Sequence, residues 1–117
     1  MQGEAVMRDQ TKHFIDEDPT DIILTRNVKQ EDGAGGYILT DPALQPVQTF
    51  KVTQAVSAQD TERRTVAGEV VIPSIALVCE WDANIEIGDT FNWNDLLVEV
   101  VWLVRLPYVV TAEVAVR

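Results

Sequence analysis

One cysteine and one histidine occur in 117 residues. Cys79 has no partner for an internal disulfide, so nothing ties the chain to an oxidising compartment. Its neighbours in IALVCEW are apolar, which marks it as a small buried hydrophobe rather than a reactive thiol. Cys79 and His13 alone cannot build a zinc site. Serine is almost as scarce: only Ser57 and Ser74 occur, and neither stands in a nucleophile elbow. With His13 in a polar N-terminal stretch, no set of nucleophile, base and orienting group is visible, so no enzyme is expected. Bases are few, nine Lys and Arg against nineteen Asp and Glu, for a net charge of -10. Tight DNA binding rests on cations that neutralise phosphates, so a grip on DNA is excluded while passage beside DNA is not. The chain also lacks a long apolar run. LLVEVVWLV is interrupted by Glu99 and is too short to span a bilayer. The start, MQGEAVMRDQTKHF, has no basic cluster followed by an apolar stretch, so no signal peptide is expected. A soluble protein of a cytoplasm, without a membrane partner, is the expectation.

What is present is strand pattern. No stretch sustains a helical period. DIILTRNV is rich in β-branched residues and predicts a strand over Asp21–Val28. A glycine-rich turn follows, then a short strand, YILT. PVQTFKVT predicts a strand with Phe50 and Val52 inward. SAQDTERRT is a polar loop, longer than most connections. TVAGEVVIP predicts a strand ending at Pro73, with a bulge or bend at Gly68. SIALVCEW places Ile75, Leu77, Cys79 and Trp81 on one face. TFNW, a tight turn at Asn94–Asp95 and the two-sided apolar LLVEVVWLVRL predict a hairpin whose second strand is central. YVVTAEVAVR alternates, with Tyr108, Val110, Ala112, Val114 and Val116 inward and Thr111, Glu113 and Arg117 outward. This pattern predicts an all-β fold: a small β-barrel of about six to eight short antiparallel strands with long loops. Residues 1–19 are polar and read as an arm, extended or partly helical, that orders only against something else, with a short amphipathic helix over Val6–Ile15 as the alternative. Residues 20–117 form the one barrel domain.

The glycines invite a phosphate-loop reading, which fails. In EDGAGGY the third glycine of a dinucleotide fingerprint is replaced by Ile38, Tyr37 stands where a Walker lysine should be, and a strand follows instead of a helix. A hairpin tip needing positive φ explains the same residues. Asp82, Asn84 and Glu86 have the spacing of a calcium loop, but Ile87 and Trp93 stand where Gly and Glu are required. No cofactor and no metal are expected. Trp81, Trp93 and Trp102 fall on apolar strand faces and read as core, with a ligand-stacking platform as the alternative.

Taken together, DPTDIILTR, the glycine hairpin and GEVVIPSIALVCEWDANIEIGDTFNWNDLLVEVVWL resemble the head-to-tail stopper, or head-closure, proteins of long-tailed phages. The resemblance covers roughly Asp18–Arg117. It implies a barrel that assembles as a hexameric ring below the portal and adaptor rings and above the tail, in the neck of a virion assembled in the host cytoplasm. Such a ring retains packaged double-stranded DNA without binding it tightly, and docks the tail terminator or tail tube. The resemblance further implies a channel or gating loop within Gln54–Arg64, centred on Gln59, Asp60, Thr61, Glu62, Arg63 and Arg64. It makes the hairpin Asp32, Gly33, Gly35, Gly36 and Tyr37 a contact with a neighbouring ring, and Phe14, Ile15, Asp16, Glu17 and Asp18 an adaptor-binding arm. The alternatives are a tail-terminator or tail-tube subunit of the same virion, and a ligand-binding β-barrel that uses the tryptophan platform.

Overall fold

The computed structural model describes residues 3–26, 29–31, 33, 37–39, 42–54, 62–73 and 75–116. The chain begins with α1 (Gly3–Asp16). Its first turns are built from good helix formers, and Glu4 and Arg8 pair one turn apart at 3.8 Å. The Glu17 and Asp18 amides close the last turn onto the His13 and Ile15 carbonyls, and Pro19 stops it. The N-terminal segment is therefore helical rather than extended, and it lies on the protein's own sheet. Ile15, buried, is its apolar anchor.

Twelve strands follow among the described residues. They are β1 (Thr20–Ile22), β2 (Thr25–Arg26), β3 (Lys29–Glu31), β4 (Tyr37–Leu39), β5 (Ala43–Leu44), β6 (Gln48–Gln54), β7 (Arg63–Arg64), β8 (Val70–Val71), β9 (Ile75–Cys79), β10 (Thr90–Trp93), β11 (Leu96–Arg105) and β12 (Val110–Val116). Eight form one antiparallel sheet in the order β1-β6-β9-β12-β11-β10-β2-β5, curled into a half-barrel. The remaining four make two small hairpins, β3–β4 and β7–β8. The all-β, barrel-like expectation holds.

The order explains the curl. Asp21–Val28 is not one strand: β1 and β2 are separated by Ile23 and Leu24 and pair at opposite ends of the sheet, β1 with β6 and β2 with β10 and β5. One extended segment thus bridges both ends, which forces the sheet to bend around its apolar face. Ile22 and Leu24 point into that bend and are buried. Phe50, Leu77, Cys79, Phe91, Val98, Val100, Val110, Ala112 and Val114 join them in the core.

The β10–β11 hairpin follows its sequence. Trp93 pairs with Leu96, and Asn94 and Asp95 take φ of 50° and 65°, the doubly left-handed turn that matches strand twist. β11 is central, between β12 and β10, as its two-sided apolar pattern requires. Its register shifts between Val100 and Trp102, a bulge that the alternation did not announce.

Three strand expectations are corrected. TVAGEVVIP is not one strand: Thr65–Gly68 is a turn closed by the Gly68 amide on the Thr65 carbonyl, with Gly68 at φ +90°, and only Val70–Val71 is strand. Tyr108 precedes β12, and Val116 at its end is exposed, so the inward set is Val110, Ala112 and Val114. Trp81 lies beyond β9 and is exposed. A fourth concerns Glu113, which is on the outer face as expected yet is buried, because another element covers it.

Candidate functional site

The outer face of the sheet carries helix α1 and the β7–β8 hairpin, and each is attached by a cation. Residues directly opposite in a ladder share a face. Glu113 sits opposite Trp102 on one side and Ala76 on the other, and Glu99 sits opposite Ala115. The two alanines leave room for a second layer, which the β7–β8 hairpin supplies. Arg63 Nε donates to Glu113 Oε1 at 3.0 Å, and its guanidinium stacks on the Trp102 ring at 4.0 Å. The Val66 amide donates to Glu99 Oε2 at 2.9 Å. Two carboxylates that would be exposed on a bare sheet are thereby buried beneath the hairpin.

Helix α1 is held in the same manner on β6 and β9. Lys51 stacks on Phe14 at 3.7 Å and pairs with Glu17 at 3.6 Å. Arg8 stacks on Trp81 at 3.7 Å and donates to the Pro107 carbonyl at 2.8 Å. Trp81 and Trp102, the exposed tryptophans, each already carry a cation on one ring face; Trp93 is partly buried against the core.

A third polar centre seals the β2–β10 seam of the half-barrel. Arg26 donates both Nε and Nη2 to the carboxylate of Asp89, at 2.9 and 2.8 Å, and Nη1 to Asn84 Oδ1 at 3.0 Å. Asp89 also accepts the Glu86 amide at 2.9 Å. The hydrogen bond to Asp89 raises the Arg26 pKa above its already high value, against a smaller opposing effect of burial. Beside Asp89, Gly88 takes φ +96°, and a Cβ there would lie 2.8 Å from Val66 Cγ2. The Ile87-Gly88-Asp89 turn is therefore a junction of the 80s loop, the hairpin and the barrel seam. Arg105 closes the same end, donating to the carbonyls of Ala83 and Ile85. Ile85, in the loop between β9 and β10, is fully buried.

The residues expected to work as sites fall as follows. Of the channel loop, Gln59, Asp60 and Thr61 lie outside the described residues. Glu62 is exposed, and Arg63 and Arg64 are not loop but strand β7, paired with Val71 and Val70. Arg63 is committed to Glu113 and Trp102, and Arg64 donates to the Gly68 carbonyl. In the glycine hairpin the flanking strands pair as expected, Lys29 with Leu39 and Glu31 with Tyr37. Gly33 has φ +82° and open space around it, which is the freedom a tip requires. Asp32, Gly35 and Gly36 lie outside the described residues. Phe14, Ile15 and Asp16 end the helix and Glu17 and Asp18 follow it, with Ile15 turned inward and Phe14 half exposed beneath Lys51. Sequence reasoning missed Arg26–Asp89 and Arg63–Glu113 because the partners are 63 and 50 residues apart.

No group of His, Cys, Asp and Glu that could hold a metal occurs among the described residues. Cys79 is fully buried, and desolvation pushes its thiol up to about 12, with Arg105 opposing weakly. The folded protein is expected not to react with a disulfide reagent at pH 8, and to react fully in denaturant. Because the folded value exceeds the ordinary 9.0, the thiol's contribution to stability is complete below about pH 9 and is lost as pH rises toward 12. A thiol that titrates at once in the native protein would contradict this placement.

No family model matches the chain, and no curated protein matches its sequence.

Proposed function

We propose that the protein is a structural ring subunit of the neck of a long-tailed phage, a head-to-tail stopper that retains packaged DNA and docks the tail. The observation that carries the reading is the resembling stretch Gly68–Leu103. It supplies β8, which pairs with β7 outside the main sheet, and then β9, the Ile87-Gly88-Asp89 turn and the β10–β11 hairpin, with β12 lying between β9 and β11 and Arg26 of β2 bound to Asp89. Two further features suit the role. A net charge of -10 disfavours adhesion to DNA, as a channel wall requires. Leu44, Val66 and Ile72 are large apolar side chains left exposed, the kind of surface that subunits of a ring cover in one another. The protein acts by shape and by contacts with its own copies, the adaptor and the tail, and performs no chemistry.

The test is genetic. A phage lacking this gene is expected to fill its heads, lose the DNA from them and leave tails unattached. Tailed, DNA-retaining particles made without the protein would refute the role.

A further inference from the structure

A groove of about 390 Å³ opens where the connection from β5 to β6 meets the loop after β9. Pro46, Val47 and Ala83 give it an apolar floor, with Val47 60 % exposed. Its walls are fixed. Gln48 Nε2 donates to the Asn84 carbonyl at 2.8 Å and Gln48 Oε1 accepts the Asn84 amide at 2.8 Å, so a side chain stands in for a strand partner. Arg105 Nη1 holds the Ala83 carbonyl at 3.1 Å.

The rim is acidic. Glu80 and Asp82 line it and are exposed. Thr49, also on the wall, donates to Asp21 Oδ1 at 2.7 Å, which brings a third carboxylate to the edge. The surrounding bases are engaged elsewhere: Arg26 with Asp89, Lys51 with Glu17, Arg105 with Glu86, and Arg8 on Trp81. Two carboxylates therefore line the groove and a third, Asp21, is held beside it by Thr49, with no Lys or Arg on the lining.

We propose that this groove docks an extended cationic segment of a partner protein. Lys or Arg side chains lie over Glu80 and Asp82, and a small apolar side chain between them rests on Val47 and Ala83. Charge complementarity selects the partner, and the chain's overall negative field draws it in from a distance. The pre-set walls lower the ordering cost of binding. The surface is defined by its own chemistry and stands or falls separately from the neck role.

Trp81, between Glu80 and Asp82, is a built-in reporter. The probe is the peptide acetyl-Arg-Val-Arg-Val-Arg-amide, compared with its Glu-for-Arg counterpart and with spermidine. The Arg peptide is expected to change tryptophan emission saturably. Its affinity should fall at least tenfold in the Glu80→Gln/Asp82→Asn variant, and fall again as salt rises over the range in which the Debye length shrinks from about 10 Å to about 3 Å. Val47→Ser should weaken the peptide and leave any spermidine binding unchanged, while Asp95→Asn at the β10–β11 turn, outside the lining, should change nothing. These positions are exposed, and circular dichroism checks that each variant folds. Absence of saturable binding by both fluorescence and calorimetry overturns the proposal. So does binding that the double variant leaves intact, or spermidine binding as tight as the peptide's, which would reduce the groove to a patch of charge.

Discussion

Replacing Arg26 by methionine is expected to lower the unfolding free energy by about 3 kcal/mol, the lower end of the range for breaking a buried ion pair. The lower end applies because the Arg26 side chain keeps 23 % of its surface in water whereas that of Asp89 keeps 1 %. The substitution removes the cation and leaves a desolvated carboxylate with the Glu86 amide. The position is critical for a second reason. β2 meets β10 through a single residue pair, Thr25 with Thr90, so the ladder alone hardly closes the seam. The guanidinium supplies the closure instead, joining β2 to Asn84 and Asp89 at once. Urea unfolding followed by circular dichroism measures the loss. Arg26→Lys should recover only part of it, since an ammonium cannot make the bidentate contact. A loss under about 1 kcal/mol would mean that core burial, at roughly 25 cal/mol per Å², closes the seam without help.

Replacing Arg63 by alanine is expected to cost about 1.5–3 kcal/mol, the range for a hydrogen bond to a charged group. Its effect should be local. The β7–β8 hairpin has two residue pairs, and an isolated hairpin of that size is not stable in water. It persists because Arg63 joins it to Glu113 and Trp102 and because Val66 donates to Glu99. Without Arg63 the hairpin lifts, the Val66 amide loses its hydrogen-exchange protection, and tryptophan emission shifts to the red as Trp102 is uncovered. The core amides of β9 and β12 should stay protected. Unchanged exchange at Val66 would show that the hairpin is held by its apolar contacts and not by the ion pair.

These two centres mark where sequence reading ends. Period-two patterns made β9, β11 and most of β12 legible, because those strands bury one face or both and a residue's neighbours along the chain announce its side. The Asn94–Asp95 turn was legible because only certain residues accept left-handed φ in succession. Glu113 was misjudged in burial because alternation assigns a face but not what lies upon that face. β1 and β2 read as one strand, since DIILTRNV has β-branched residues on both sides of the break and nothing local states that its two halves pair with different partners. The helix was only an alternative, because its one buried anchor, Ile15, is too little apolar periodicity to decide the matter. Its attachment by Arg8 and Lys51 depends on Trp81 and on β6, far along the chain. By itself the Ile87-Gly88-Asp89 motif is a common chain reversal. Its importance comes from Val66 crowding Gly88 and from Arg26 seeking Asp89, neither of which the motif contains.

The central proposal, a neck ring, is tested most directly by mixing the purified protein with tailless heads of a long-tailed phage that carries its gene, assembled without the protein, and imaging them by cryo-electron microscopy. The proposal predicts a ring of copies at one vertex of each head, on the portal–adaptor complex. Heads that remain bare at that vertex, with the protein folded and in excess, would contradict it.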